Sequence, residues 1–193
     1  MNRVITISDQ FGSGGRPIGK MVADRLDLPY YDYALIETIV KDRGYVKDFI
    51  KERGKSVSSI GWPCTTNSEW DINQYSVQDE FWMIHNQVVK EVADKGPSVI
   101  VGCCADYILK ERADLLTVFI YASLEKRAEQ ILNICGESGK NLERRLKDKD
   151  NQRRSYYQLY TDMEWGDAKN YHVALNSGVL GFGSCASIIT SLC

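Results

Sequence analysis

Near its start the chain runs from Val4-Ile5-Thr6-Ile7-Ser8 into Gly12-Ser13-Gly14-Gly15-Arg16-Pro17, and apolar residues then recur at Ile18, Met21, Val22 and Leu26. A strand that breaks into glycines and restarts as a helix presents backbone N–H groups and the positive end of a helix dipole. That combination binds phosphate. Glycines at 12, 14 and 15 permit positive φ angles and let oxygens approach the backbone, and Pro17 suits a helix start. Against the pattern G-x-x-x-x-G-K-[ST], with Gly14 as the second glycine, Asp9 stands at the first glycine, Gly15 at the lysine and Arg16 at the hydroxyl. Arg16 is then the nearest cation for terminal phosphates, and Ser13 the nearest hydroxyl for a magnesium ion. The alternative is an ordinary tight βα turn.

A second cluster with chemical potential lies between Lys140 and Arg154, which carries seven cations against three acids. Phosphoryl transfer needs cations that neutralise the passing phosphoryl group. Lys149 and Arg145 lie four and eight residues before Arg153, so on a helix the three share a face. A solvated helix face is the alternative. Asp32 and Asp106 sit just past probable strand ends, where α/β sheets hold ligands. Either suits orienting an acceptor hydroxyl or binding magnesium through water, and equally a helix N-cap or a loop salt bridge. Tyr156, Tyr157 and Tyr160 read as helical packing before base stacking, and His85 as a residue of an amphipathic helix. His172 precedes the last strand with no partner visible. The six cysteines lack C-x-x-C spacing, and adjacent Cys103-Cys104 reads as small buried thiols rather than a metal or redox site.

The elements that must position these residues follow from periodicity. Ser98 to Gly102 and Leu116 to Tyr121 are unbroken apolar runs, the pattern of strands buried on both faces. Val4 to Ser8, Tyr30-Tyr31 and Val173 to Asn176 complete a set of strands. Between them, helical spacing marks Leu35 to Val40 and Val77 to Asp94, with Ser184 to Leu192 as a closing helix. Strands alternating with helices predict a doubly wound α/β fold, and 193 residues suit a single domain spanning 1–193. The stretch 56–73 has no periodicity and is expected to be a functional loop. A formal charge of −2 argues against a nucleic-acid partner, and no run approaches the roughly 18 apolar residues of a membrane span. The first residues are too short for a signal peptide and lead straight into a strand, so a soluble cytoplasmic protein is expected. The apolar face of the long helix around Phe81 to Val92 suits a core, or a homodimer.

The run Ile5-Thr6-Ile7-Ser8-Asp9-Gln10-Phe11-Gly12-Ser13-Gly14-Gly15-Arg16 resembles the opening of the cytidylate kinase-like proteins. Similar segments follow in the same order: Pro29 to Asp32, Val99 to Leu109, Val118 to Ala122, Asp150 to Arg153 with Tyr156-Tyr157, Trp165-Gly166-Asp167 and Leu175 to Ser177. The resemblance implies a three-layer P-loop NTPase-type fold, with a five-stranded parallel sheet flanked by helices. It further implies a phosphate loop over Gly12 to Pro17, an acceptor-side insertion at 45–75 and a lid over 138–162. ATP and Mg²⁺ are the implied cofactors, with a nucleoside monophosphate or other small molecule as phosphoryl acceptor. Arg16, Arg153 and Asp150 carry the implied catalytic roles, and Asp32, Asp106 and Cys103 mark the acceptor side. The sequence departs from the pattern at three places. Gly15 replaces the phosphate-loop lysine, Gly102-Cys103-Cys104 lacks the arginine that would hold an acceptor phosphate, and Thr38 falls where a further arginine is expected. These departures define a second expectation, a catalytically impaired nucleotide- or anion-binding protein of the same fold, since cysteine cannot reproduce arginine's bidentate grip.

Overall fold

The apolar runs become the strands β1 (Val4–Asp9), β2 (Tyr30–Tyr31), β3 (Ser98–Val101), β4 (Leu115–Tyr121) and β5 (Val173–Asn176). This computed structural model describes residues 3–42, 75–102, 104–135 and 141–193. The strands form one parallel sheet in the order β2-β3-β1-β4-β5. Val4 lies opposite both Ser98 and Leu115, so β1 is the central strand. Parallel strands need crossover connections, and the helices that make them cover both faces.

Alternation along β1 divides the core. Ile5 and Ile7 point to the face covered by α1 (Gly15–Leu26) and α8 (Phe182–Ser191), packing with Ile18, Val22, Cys185 and Ile189. Val4 points to the opposite face, with Ile36 of α2 (Tyr33–Asp42) and Val88, Val89 and Val92 of α3 (Tyr75–Asp94). Val88, Val89 and Val92 on the apolar face of α3 are therefore buried inside this chain. The same layer holds His85, fully buried, where desolvation pushes the imidazole pKa down to about 3.

A short α4 (Ala105–Ile108) follows β3, and α5 (Leu124–Cys135) follows β4. The basic segment forms α6 (Leu142–Thr161), and α7 (Ser177–Leu180) precedes α8. An aromatic layer joins α6 to the sheet. Trp82 stacks on Tyr160 with ring centroids 4.5 Å apart, and Phe119 packs edge-on to Trp165 at 5.4 Å. Tyr156, Tyr157 and Tyr160 of α6 all belong to this layer. His172, too, has a structural partner: its Nδ1 accepts the Thr117 N–H at 3.0 Å. Because β1 is central and the chain crosses to β3 on one side and β4 on the other, the crevice beyond its carboxyl end is the place for a ligand.

Candidate active site

Beyond β1 the chain turns through residues 10–14 into α1. Gly12 and Gly14 adopt φ of +83° and +90°, conformations that side chains rarely take. Ser13 N–H donates to the Gln10 carbonyl and Ile18 N–H to that of Gly14, so the turn closes into the first helical turn. The N–H groups of Gly15 and Arg16 precede the first intrahelical bond and point beyond the helix end. Pro17 is the third helical residue rather than the first, still within the turn that requires no N–H. Ser13 corrects one expectation. It is fully buried and its hydroxyl donates to the Ile120 carbonyl at 3.0 Å, turned into the sheet and away from any metal.

The turn borders a cavity of about 330 Å³. Arg16 lines it from α1, and Arg145, Lys149 and Arg153 line it from α6, so the helical face read from the spacing is the face that looks into the crevice. Lys149 is only 5% exposed. Phe11 lies beneath this cluster, with the Arg145 and Arg153 guanidinium carbons 5.8 and 5.7 Å from its ring centre.

Asp9 is the acid within this basic cavity. Its carboxyl oxygen lies 3.0 Å from Arg153 Nη1, which also donates to the Asp9 backbone carbonyl. Burial pushes the Asp9 pKa up, and the Arg153 and Arg16 charges pull against that shift. The bare α-carbon of Gly15 explains how the carboxyl fits: a Cβ there would come within 2.5 Å of Asp9. The glycine at the lysine position therefore makes room for this chain's own carboxylate. Arg16 is also engaged, its Nε lying 3.4 Å from Asp32. Asp32 accepts the Leu35 N–H at 3.1 Å and so caps α2, the N-cap and salt-bridge alternatives realised together.

Asp150 does not face the cavity. One carboxyl oxygen accepts the Phe11 N–H at 2.8 Å and the other lies 2.5 Å from Arg127 of α5. Arg127 also donates to the Phe11 carbonyl at 3.1 Å. Their side chains are 10% and 7% exposed, so this buried pair clamps the turn between two helices. Asp150, expected in a catalytic role, holds the backbone of the glycine turn, with its carboxyl engaged by Phe11 and Arg127. Arg127 lies on α5, outside every motif in the sequence. A cation on a helix gives no sign in sequence of where its partner lies.

Asp106 also sits behind the site instead of in it. Its carboxyl is buried, accepting hydrogen bonds from Tyr157 Oη at 2.7 Å and Ser8 Oγ at 3.3 Å, and burial raises its pKa against those bonds. Asp32 and Asp106 are not among the described residues lining the two cavities at the end of β1. Cys103 and the stretch 56–73 lie outside the described residues, as does most of 45–75.

A family model for the cytidylate kinase-like family matches residues 4–179. The chain belongs to that family. No curated protein matches it. Among solved structures, an uncharacterized protein from Eubacterium ventriosum ATCC 27560 is similar at a TM-score of 0.75 and 21% identity, with 98% of this chain and 97% of that one covered. The gluconokinase of Sinorhizobium meliloti 1021 is similar at 0.57 and 15%, covering 99% and 93%. The shikimate kinase of Acinetobacter baumannii, in complex with shikimate, is similar at 0.55 and 14%, covering 100% and 93%. These likenesses establish the P-loop kinase fold.

Within this cytidylate kinase-like protein two residues at or beside the other sequence departures, Gly102 and Thr38, make close local contacts. A Cβ on Gly102, whose φ is +80°, would meet Tyr33 at 2.5 Å. Thr38 turns its hydroxyl back to the Ala34 carbonyl at 2.9 Å. No group of three or more His, Cys, Asp or Glu side chains is arranged for a metal among the described residues. Mg²⁺ in phosphoryl transfer needs only one or two protein oxygens beside phosphates and water. No helix among the described residues is long and apolar enough to cross a membrane.

Proposed function

We propose that this protein is a nucleotide-dependent phosphotransferase that binds a nucleoside triphosphate, as its Mg²⁺ complex, in the cavity at the glycine turn. The observation that carries the reading is the convergence of Arg16, Arg145, Lys149 and Arg153 on a helix N-terminus, with Lys149 nearly buried. Backbone N–H groups at the start of α1 would hold the donor phosphates. Lys149, entering from α6, would supply the cation that the turn itself lacks. Arg153 would neutralise the transferring group, and catalysis would consist of positioning and electrostatics without a covalent intermediate. The metal supplies further charge neutralisation when bound. ATP–Mg²⁺ should raise the melting temperature in a concentration-dependent way, because a ligand selective for the native state stabilises it. Turnover in a coupled assay should follow with a suitable acceptor.

A second reading has its own observation. The Asp9 carboxyl packs against Gly15 and holds Arg153, while Arg16 pairs with Asp32. Those contacts suit a protein that binds anions or nucleotides without turning them over. Saturable ATP binding with neither hydrolysis nor transfer to any acceptor would select it. Failure of ATP–Mg²⁺ to stabilise the protein at millimolar concentration would rule out nucleotide binding under either reading.

A further inference from the structure

A phosphate group at the glycine turn needs two partners, the start of α1 and a cation from α6. Asp9 already engages both. Its carboxyl packs against the α-carbon of Gly15, the first residue of α1. A Cβ there would stand 2.5 Å from Asp9 Cγ and 2.8 Å from Oδ2. The other carboxyl oxygen, Oδ1, lies 3.0 Å from Arg153 Nη1. Arg153 donates to the Asp9 backbone carbonyl as well, so the contact ties the end of β1 to α6. The two side chains are 17% and 12% exposed, and a pair buried to that degree is screened little by water or salt. Asp9 and Arg153 both line the large cavity, where Arg16 is likewise paired with a carboxylate, that of Asp32.

In keeping with the phosphotransferase reading, on which the identity of the ligand rests, we propose that the contact between Asp9 and Arg153 is autoinhibitory. The Asp9 carboxylate competes with the nucleotide's phosphates for Arg153 and for the start of α1. A phosphate that takes Arg153 leaves the carboxylate to turn away or to take up a proton. Two anions beside one guanidinium repel each other, and the repulsion is strong where little water reaches. Burial already opposes the carboxylate charge and raises the Asp9 pKa, while Arg153 and Arg16 hold it down. A phosphate that draws on the same arginines removes part of that support, so phosphate and proton favour each other's binding. The charged and titratable groups around Asp9 are Arg153 and Asp150 of α6, Arg16 of α1 and Tyr30 of β2. Tyr33 of α2, with Arg145 and Lys149 of α6, lines the same cavity.

The test compares wild type with Asp9→Asn and Asp9→Ser by calorimetry and thermal shift. Sodium chloride is held at about 0.15 M, where charges more than about 8 Å apart are screened. The probes are ATP–Mg²⁺ and sulfate, a tetrahedral dianion that does not titrate near neutral pH. At neutral pH both variants should bind each probe at least about tenfold more tightly than wild type. As pH falls and Asp9 takes up its proton, wild-type affinity for sulfate should rise toward that of the variants. Tighter sulfate binding by the variants, with no form binding ATP–Mg²⁺, would support the autoinhibitory contact and remove the phosphotransferase reading. Folded variants that bind no more tightly than a wild type that does bind ATP–Mg²⁺ would overturn the contact and leave that reading standing. If neither variant folds, wild type decides alone. Sulfate affinity that rises on acidification supports the proposal, and affinity that stays flat or falls overturns it. Binding of neither probe by any form would overturn both.

Discussion

The clamp between Arg127 and Asp150 permits a sharp prediction. Asp150→Asn keeps the shape and removes the charge. One carboxyl oxygen now accepts from Phe11 N–H at 2.8 Å and the other from Arg127 at 2.5 Å. An asparagine has one acceptor oxygen, so whichever way its amide turns, an NH₂ group faces an N–H donor. With the side chains of the pair 7% and 10% exposed, water does little to relieve the conflict, and the Arg127 charge is left without its counter-charge. Removing one partner of a buried pair costs about 3–5 kcal/mol. The loss should appear as a lower urea midpoint at unchanged m-value. Arg127→Met should cost a comparable amount, because it leaves the Asp150 carboxylate buried without its counter-charge. The double variant Arg127→Met/Asp150→Asn should cost less than the sum of the two single variants, with a coupling energy of at least about 1 kcal/mol. ATP affinity should fall in Asp150→Asn because the Phe11 backbone loses its tether. A stability loss below about 1 kcal/mol, or strictly additive variants, would refute the clamp. Full stability with abolished turnover would instead return Asp150 to a catalytic role.

Lys149→Met keeps the aliphatic stem and removes the charge; ATP affinity by calorimetry should fall about tenfold with little change in stability, and unchanged affinity would remove Lys149 from the phosphate site. Gly14→Ala combines a φ of +90° with a Cβ placed 2.3 Å from Phe182, so it should cost more than about 2 kcal/mol in denaturant melts. Adding Phe182→Ala should relieve the overlap while leaving the backbone strain. His85 has a native pKa near 3 against an ordinary 6.5. Between those values the unfolded chain binds the extra proton, so stability should fall as pH drops below about 6.5, by roughly 1.4 kcal/mol per pH unit. Asp9 and Asp106, with raised pKa values, act in the opposite sense over the acidic range, favouring the native state as pH falls. The measurement is therefore the difference between wild type and His85→Leu, which should narrow on acidification; a pH-independent difference would refute the assignment.

Much of this architecture was legible in the chain itself. Unbroken apolar runs at 98–102 and 116–121 can be buried only between two helical layers, and a strand ending in glycines has few ways to continue. The helical face joining Arg145, Lys149 and Arg153 followed from spacing alone, because four residues bring side chains back to one side of a helix. The family followed from short segments spread in order along nearly the whole chain.

The roles of single charged residues were not legible, because each depends on a partner far away in sequence. Asp150 and Arg153 differ by three positions on one helix, yet Asp150 turns to Arg127 and the Phe11 backbone while Arg153 turns to Asp9. Asp106 and Asp32 both follow strands, yet one is buried beneath two hydroxyls and the other caps a helix. Local periodicity determines which way a face points, and it does so within a few residues. Whether a carboxylate is a clamp, a cap or a competitor for an arginine is decided by what the sheet brings opposite it, and in Asp9 that is an arginine 144 residues away. The sequence alone determined that a strand, a glycine turn and a helix follow one another at the start of the fold. Only the tertiary structure decided that the space above Gly15 holds this chain's own carboxylate, at the junction of two cavities.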